Sequence, residues 1–394
     1  MKKIATLVLL MFTIISNAQD TIVEPEDTTQ NPTILGDLTT KKGPWEIGLS
    51  GFIEADVIID NKKNAFVDGF MPSYIQSNKT DYSSHASIRQ SQVGLKFGNT
   101  DLDLSVYFEI DFIGADNKTA PRFRKGYITY KNWKIGQDWS TNADMNTWPN
   151  IFDFNGPNGS IGVRRMQIRY TKEVNAKHQY SFALEDPDIP SITVPDDSLG
   201  WKMKPVLPNV IATYRYGGET YIRGALTLNP ISYDKRYTTK EDFHTETMLG
   251  YALNLSSVIK TGKKSKLILQ TMYGKGANTI TLAFGGEGYD AVPDLNDHNN
   301  LKMLPYQMGI VAYEHWWNDK WSSVAYYNYS KIGKEKYMTE GMTKSIQHAA
   351  LNLVYNPTSY IRMGIEGNYG FTTRYQVENK LEAFRLQIST AICF

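Results

Sequence analysis

Apolar and polar residues alternate with period two over many segments of about ten residues. In LDLSVYFEIDF, from Leu102 to Phe112, one set is Leu102, Leu104, Val106, Phe108, Ile110 and Phe112. The other is Asp103, Ser105, Tyr107, Glu109 and Asp111. A strand places these sets on opposite faces, one apolar and one acidic. Ile47–Asp60, Tyr221–Asn229, Tyr360–Tyr369 and Phe384–Phe394 behave alike. Weaker alternation near 88–98, 122–131, 133–139, 161–171, 178–185, 209–216, 246–256, 266–274, 306–316, 321–330 and 345–355 fills the gaps. Together these segments predict about sixteen strands, an even count that suits a closed antiparallel barrel.

The connections carry a second regularity. Long ones near 61–87, 113–121, 140–160, 186–208, 230–245, 275–305, 331–344 and 370–381 alternate with short ones. The short ones are Asn99-Thr100-Asp101, Lys131-Asn132, Lys172–Lys177, Gly217-Gly218, Ser257–Ser265, Asn318-Asp319-Lys320 and Asn356-Pro357-Thr358. Long outer loops and short periplasmic turns give this rhythm in a membrane barrel, and put both termini on the periplasmic side. Trp316, Trp317 and Trp321 flank one short turn, and Tyr355 and Tyr360 another. These rings suit an interfacial girdle, although aromatics also favour strands generally.

Composition narrows the class. Lys2, Lys3, the apolar run Ile4–Ile15 and Ser16-Asn17-Ala18 form a signal peptide over 1–18. That run is too short to span a bilayer as a helix. Residues 19–44 are rich in Thr, Asp, Glu and Pro and are expected to be a flexible periplasmic leader, leaving 45–394 for the barrel. The formal net charge of +1, without a basic block, argues against nucleic acid as a partner. A single cysteine, Cys393, excludes an intramolecular disulfide despite export. The class is therefore an all-β transmembrane barrel of the bacterial outer membrane, with lipid as its first partner.

GFIEADVIID (51–60), LDLSVYFEIDF (102–112), FRKGYITYKNWKIGQDWST (123–141) and FDFNGPNGSIGVRRMQIRYT (152–171) resemble the DcaP-like family of outer-membrane porins. The resemblance runs from about residue 47 onward. It implies a trimer of sixteen-stranded barrels that passes small negatively charged solutes, dicarboxylates among them. The terminal Phe394 looks like the signal read by the barrel-assembly machinery. Residues 20–42 contain no heptad and so depart from members with an N-terminal coiled coil.

In a porin the outer face meets lipid and the inner face lines water. Alternation puts Glu54, Asp56, Asp103, Glu109, Asp111, Arg362, Glu366 and Arg385 inward. Less regular strands add Arg122, Arg124, Arg165, Arg169, Arg215 and Arg223. A lipid-facing Arg near the midplane costs ~2–4 kcal/mol, which favours the inward placement. The guanidinium fork matches a carboxylate or phosphate, so such a wall favours anions. The alternative for any one of these residues is pairing with a lumenal acid. On neighbouring strands Glu109 and Asp111 should lie near Arg122 and Arg124.

The connection 140–160 carries Trp148, Pro149, Phe152 and Phe154, too apolar for a free outer loop. It suits an inward-folded constriction, with Asp144 and Asp153 as its acidic side. A subunit contact by the same rings is the alternative. Asp290, Asp294, Asp297 and His298 lack the glycine and terminal glutamate of an EF-hand, so a solvated loop is expected there. No phosphate loop, HExxH or GxSxG occurs, so neither cofactor nor catalytic residue is assigned and no enzyme is indicated. The expected function is passive diffusion of small hydrophilic solutes, biased to anions. A receptor or adhesin barrel whose long loops bind a partner is the alternative.

Overall fold

The computed structural model describes residues 38–187, 192–193, 202–236, 243–294, 297–333 and 338–394. The signal segment and residues 19–37 lie outside it. Among the described residues, sixteen strands follow one another around a barrel. They are β1 (Trp45–Asp60), β2 (Gln92–Asn99), β3 (Leu104–Ile113), β4 (Thr119–Tyr130), β5 (Trp133–Trp139), β6 (Arg164–Asn175), β7 (His178–Glu185) and β8 (Asn209–Gly217). Then come β9 (Tyr221–Arg236), β10 (Phe243–Gly262), β11 (Ser265–Lys275), β12 (Pro305–Trp316), β13 (Trp321–Ile332), β14 (Thr343–Thr358), β15 (Ile361–Arg374) and β16 (Leu381–Cys393). Each pairs antiparallel with the next, and β1 pairs with β16 from Phe52↔Cys393 to Asp60↔Arg385. That last ladder closes the sheet.

Alternation decides which face each residue takes. On β3, Val106 and Phe108 point outward, while Glu109 and Asp111 are buried inside. On β10, Leu249, Leu253 and Leu255 form an exposed outer row opposite buried Asn254 and Ser256. In water such a row would be a liability; against hydrocarbon it is the required surface. Trp321 stacks on Tyr355 at 4.4 Å on the outer face, and Trp317 and Tyr360 are exposed nearby. Trp316 departs from this girdle: its indole N–H donates to Glu314, an inward residue of the same strand parity.

Two other expectations change. Asp103 is not on the wall. β3 begins at Leu104, and Asp103 ends the preceding turn with φ 49°, a left-handed conformation that aspartate tolerates. Leu38–Lys42, assigned to the leader, is a strand paired with β1 from Leu38↔Leu49 to Lys42↔Trp45. β16 pairs with β1 only from Phe52 to Asp60, next to the two backbone bonds between Gly51 and Phe394. Below that point the edge of β1 would otherwise be bare.

Three connections turn inward rather than outward. The β1–β2 connection buries Phe70, Met71 and Ile75 inside the barrel, and its Ser83–Ser87 segment pairs with β1. The β5–β6 connection is described below. The β11–β12 connection places Ile280 and Phe284 in a cluster with Ile161, Leu304, Met308 and Ile346. Asp290 there is not solvated: it is fully buried and accepts hydrogen bonds from the Asn278 and Thr279 amides, the Thr279 hydroxyl and the Asn229 side chain. Asp294 is also buried, 3.4 Å from Lys302. The side chains of Asp297 and His298 lie outside the described residues, and no metal-ligand group occurs among those described.

Leu253→Arg on the outer row of β10 is expected to lower unfolding free energy by ~2–4 kcal/mol in lipid vesicles, read by urea titration. An unchanged midpoint would remove the lipid-facing assignment.

Candidate pore constriction

The β5–β6 connection is tied to the wall along most of its length. At its start Glu185 accepts from the Ser140 hydroxyl and the Thr141 amide. Arg223 on β9 donates to the carbonyls of Thr141 and Asn142. Asp144 accepts from Tyr221 and Ser256 on β9 and β10. Further on, Glu366 of β15 accepts the amides of Phe152 and Asp153, at 2.8 and 3.0 Å. Arg362 donates to Asn150 and to the Ile151 carbonyl, and its guanidinium lies 3.8 Å from the Phe152 ring centre. Gly364 makes room for that ring, since a Cβ there would meet it at 2.7 Å and the Leu353 carbonyl at 2.3 Å. The Gly159 amide donates to Asn328 of β13. The connection therefore lies across the lumen, fastened to β9, β10 and β13–β15.

Several expected pore-lining residues have a different role in consequence. Glu54, Asp56, Glu366, Arg362 and Arg385 point inward but are buried beneath the infolded loops. Arg385 pairs with Asp60 through two hydrogen bonds of 2.8 Å, and Arg362 lies 3.7 Å from Glu54. Arg223 is spent on the loop carbonyls. Arg362, Glu366 and Arg223 hold the loop, while Glu54, Asp56 and Arg385 pair along the wall beneath it. Asp144 and Asp153 are likewise not the acidic side of an opening. Asp144 is consumed by the two wall hydroxyls, and Asp153 accepts the Phe70 amide at 2.7 Å and the Asn155 amide. Burial raises the Asp153 carboxyl to about 7, against the pull of Arg385. Trp148 and Phe154 remain half-buried, on the side of the loop turned away from its anchors.

That side faces β3 to β6. Asp111 accepts from Arg122 at 2.9 and 2.6 Å and from Arg124 at 2.8 Å. Glu109 accepts from Arg124 at 2.8 Å and lies 3.3 Å from Lys125. The predicted neighbourhood of these acids and arginines is what the fold assembles. Two cations escaped the alternation. Register slips between Glu109↔Lys125 and Ile110↔Phe123, so a β-bulge turns both Arg124 and Lys125 to the lumen. Arg164 has the parity of outward Met166 and Ile168. However, β5 leaves the β4 ladder after Gln137, and Trp139 pairs with Arg164 at the end that turns inward. The Arg164 guanidinium lies 4.7 Å from the Trp139 ring centre, and Trp139 packs 5.7 Å from Trp148. Arg122 and Arg124 lie 5.7 and 5.9 Å from the Phe154 ring centre.

Further down, Arg169 and Lys134 share Asp138, at 3.3 and 2.8 Å. Arg215 lies over Tyr221 and donates to the Gly218 carbonyl beside a periplasmic turn. Arg165 is buried and donates to the Asp186 carbonyl. Of these cations, Arg122, Arg164, Lys134, Arg169 and Arg215 are partly accessible. No sequence signal marks Arg164, because its orientation depends on where one ladder ends.

Glu366→Ala removes the acceptor of two loop amides. Single-channel conductance should rise and become noisier, while the heat-dependent gel shift of the folded barrel stays unchanged. The Asp153 proton gives a pH signature. In a released loop the carboxyl returns to its ordinary value of 3.8, so the docked loop binds the proton more tightly. Docking then loses stability as pH rises from about 4 to about 7, and is level above that. Brief large-conductance openings should grow more frequent across that window and lose this pH dependence in Asp153→Asn.

The model of the DcaP outer membrane protein family matches residues 46–389. The outer membrane channel DcaP of Acinetobacter baumannii has a similar structure, with a TM-score of 0.77 at 20% identity, covering 91% of this chain and 100% of that one. OmpT of Vibrio cholerae is similar at a TM-score of 0.57 and 12% identity, covering 90% of this chain and 100% of that one. An anion-selective porin from Comamonas acidovorans is similar at 0.57 and 12%, covering 89% and 100%. No curated protein matches the sequence. The chain belongs to the DcaP outer membrane protein family, and is a porin-type channel of the bacterial outer membrane rather than an enzyme.

Proposed function

We propose that this porin is a passive diffusion channel biased toward small anions, dicarboxylates among them, and that it works as a homotrimer. The observation that carries the bias is the charge count of the ion cluster on β3, β4 and the start of β6. Arg122, Arg124, Lys125 and Arg164 supply four positive charges, and Glu109 and Asp111 supply two negative ones, so 4 − 2 leaves +2. Asp144 and Asp153 are buried and bonded to wall hydroxyls and a loop amide, so neither lies open to a solute. Low-dielectric walls focus such an excess and raise the local concentration of counter-ions. A dianion matches the surplus in magnitude. Weak sites that both bind and release then favour conduction over trapping.

The receptor reading draws less support. The β1–β2 and β11–β12 connections place their larger apolar residues inside the barrel, where they cannot meet an outside partner. The largely apolar outer face suits both lipid and a second barrel, which supports the trimer.

Purified protein in a planar bilayer under a KCl gradient should give stepwise ohmic conductance with a reversal potential of anionic sign. Arg122→Gln with Lys125→Gln should move that potential toward zero. Silent membranes from a folded barrel would overturn the channel reading, and a cationic sign would overturn the bias. Light scattering in detergent should return the mass of three chains; one chain would overturn the trimer.

A further inference from the structure

Arginine lines the lumen, whereas every cation in the short periplasmic turns is a lysine. The lysines gather at one place on the rim. The β10–β11 hairpin turns at Lys263 and Lys264, just after a bulge between Lys260 and Gly262. The β12–β13 turn beside it carries Lys320. Lys260 lies 2.6 Å from Glu219, and its amide donates to the Thr220 hydroxyl, which ties the hairpin to the β8–β9 turn. The Lys264 carbonyl accepts from the Trp316 amide, and the Lys264 ammonium lies 3.4 Å from Asp319. The Lys320 carbonyl accepts from the Asn356 amide of β14. These bonds join successive turns into one platform, so its charges hold fixed relative positions.

The platform is positive. Lys266 lies 3.2 Å from Glu314, so Lys260, Lys263, Lys264, Lys266 and Lys320 face three carboxylates, and five against three leaves +2. Lys263 and Lys320 are exposed and have no acidic partner among the described residues. The Asp319 partner of Lys264 is 99% exposed, and a pair so open to water is weak and easily exchanged. The platform also borders the lipid-facing surface. The outer row of Leu253 and Leu255 continues to Ile259, one residue before Lys260. Trp317 is 62% exposed with its ring 4.5 Å from that of His315, and Trp321 stacks on Tyr355. Such rings sit at headgroup level, which puts the lysines just beyond the hydrocarbon.

We propose that the β10–β11 tip and the β12–β13 turn hold the phosphate of an anionic phospholipid in the periplasmic leaflet. Lys263, Lys264 and Lys320 supply the charge, and Trp317 and Trp321 lie against the part of the lipid between headgroup and chains. Basic groups set immediately beside a hydrophobic span attract anionic lipid. The occupant is a lipid because the lysines adjoin the ring belt and the apolar row; a soluble polyanion would use the charge and leave the rings idle. Lysine suits the task. Its compact charge on a flexible stem follows a mobile headgroup, and the stem itself covers apolar surface. The inference rests on the outer-membrane barrel and stands whichever ion the pore prefers.

The test is retention of phosphatidylglycerol against phosphatidylcholine of the same chains, read by native mass spectrometry of the full chain released from detergent. The wild-type barrel should retain phosphatidylglycerol preferentially. Lys263→Gln with Lys264→Gln and Lys320→Gln should weaken that association by about tenfold or more and leave phosphatidylcholine unchanged. Lys131→Gln with Lys172→Gln and Lys177→Gln removes an equal charge elsewhere on the rim and should leave both lipids unchanged. Equal retention of the two lipids by wild type would overturn the site. So would an equal loss in the second triple variant, which would assign the effect to the general field of the rim. Complete displacement of the lipid by inorganic phosphate would reassign the site to the free ion. Binding to cell-wall sacculi that needs the three lysines, without any lipid preference, would give the patch to a wall polymer instead. If the first triple variant loses its heat-dependent gel shift, Lys263→Gln with Lys320→Gln decides: wild-type retention there overturns the site.

Discussion

Every backbone N–H and C=O in hydrocarbon must find a partner within the protein, and the architecture follows from that demand. A sheet meets it only by leaving no edge, and here the closing ladder runs between β1 and β16. Closure fixes the tilt and register of all sixteen strands, and register fixes which side chains look inward. The charge arrangement in the lumen is thus a consequence of backbone hydrogen bonding before it is a matter of side-chain chemistry. Even the Leu38–Lys42 segment fits this account, since it covers the part of β1 that β16 is too short to reach.

Within the closed wall, charge is used in two ways. One set is buried and holds loops: Arg362 and Glu366 beneath Phe152, Arg385 with Asp60, Arg223 on loop carbonyls. Breaking one partner of such a pair leaves a charge without compensation in a dry site, which is why these contacts hold position well. The other set, Arg122, Arg164 and Arg169, retains access to water. Their difference lies in the loops. Connections that fold inward cover the wall from β9 round to β1, and on β3 to β6 they leave Arg122, Arg164 and Arg169 only partly buried.

The period-two pattern made the strands legible, and 133–139 and 178–185 agree to the residue with β5 and β7. It also placed Glu109 and Asp111 beside Arg122 and Arg124, because antiparallel register follows from a short hairpin. Where the pattern failed, something other than alternation set the direction. A bulge turned Lys125 inward beside Arg124, a left-handed turn took Asp103 off the wall, and an early ladder end brought Arg164 into the lumen. The infolded loops were legible at 140–160 from their aromatic content. The burial of Asp144, Asp153 and Asp290 was not, since their donors come from residues distant in the chain, such as Ser256 for Asp144.

The closing ladder also sets a timetable. Asp60 pairs with Arg385 and Phe52 with Cys393, so partners at least 385 − 60 = 325 positions apart must meet. Neighbouring hairpins have only local contacts to make and can form as the chain emerges. The seam cannot form until β16 has been synthesised and delivered, and loop-closure entropy opposes it most. Until then both β1 and β16 offer a bare edge to any other chain. The residues of β16 therefore decide the lifetime of the most adhesive state this protein passes through.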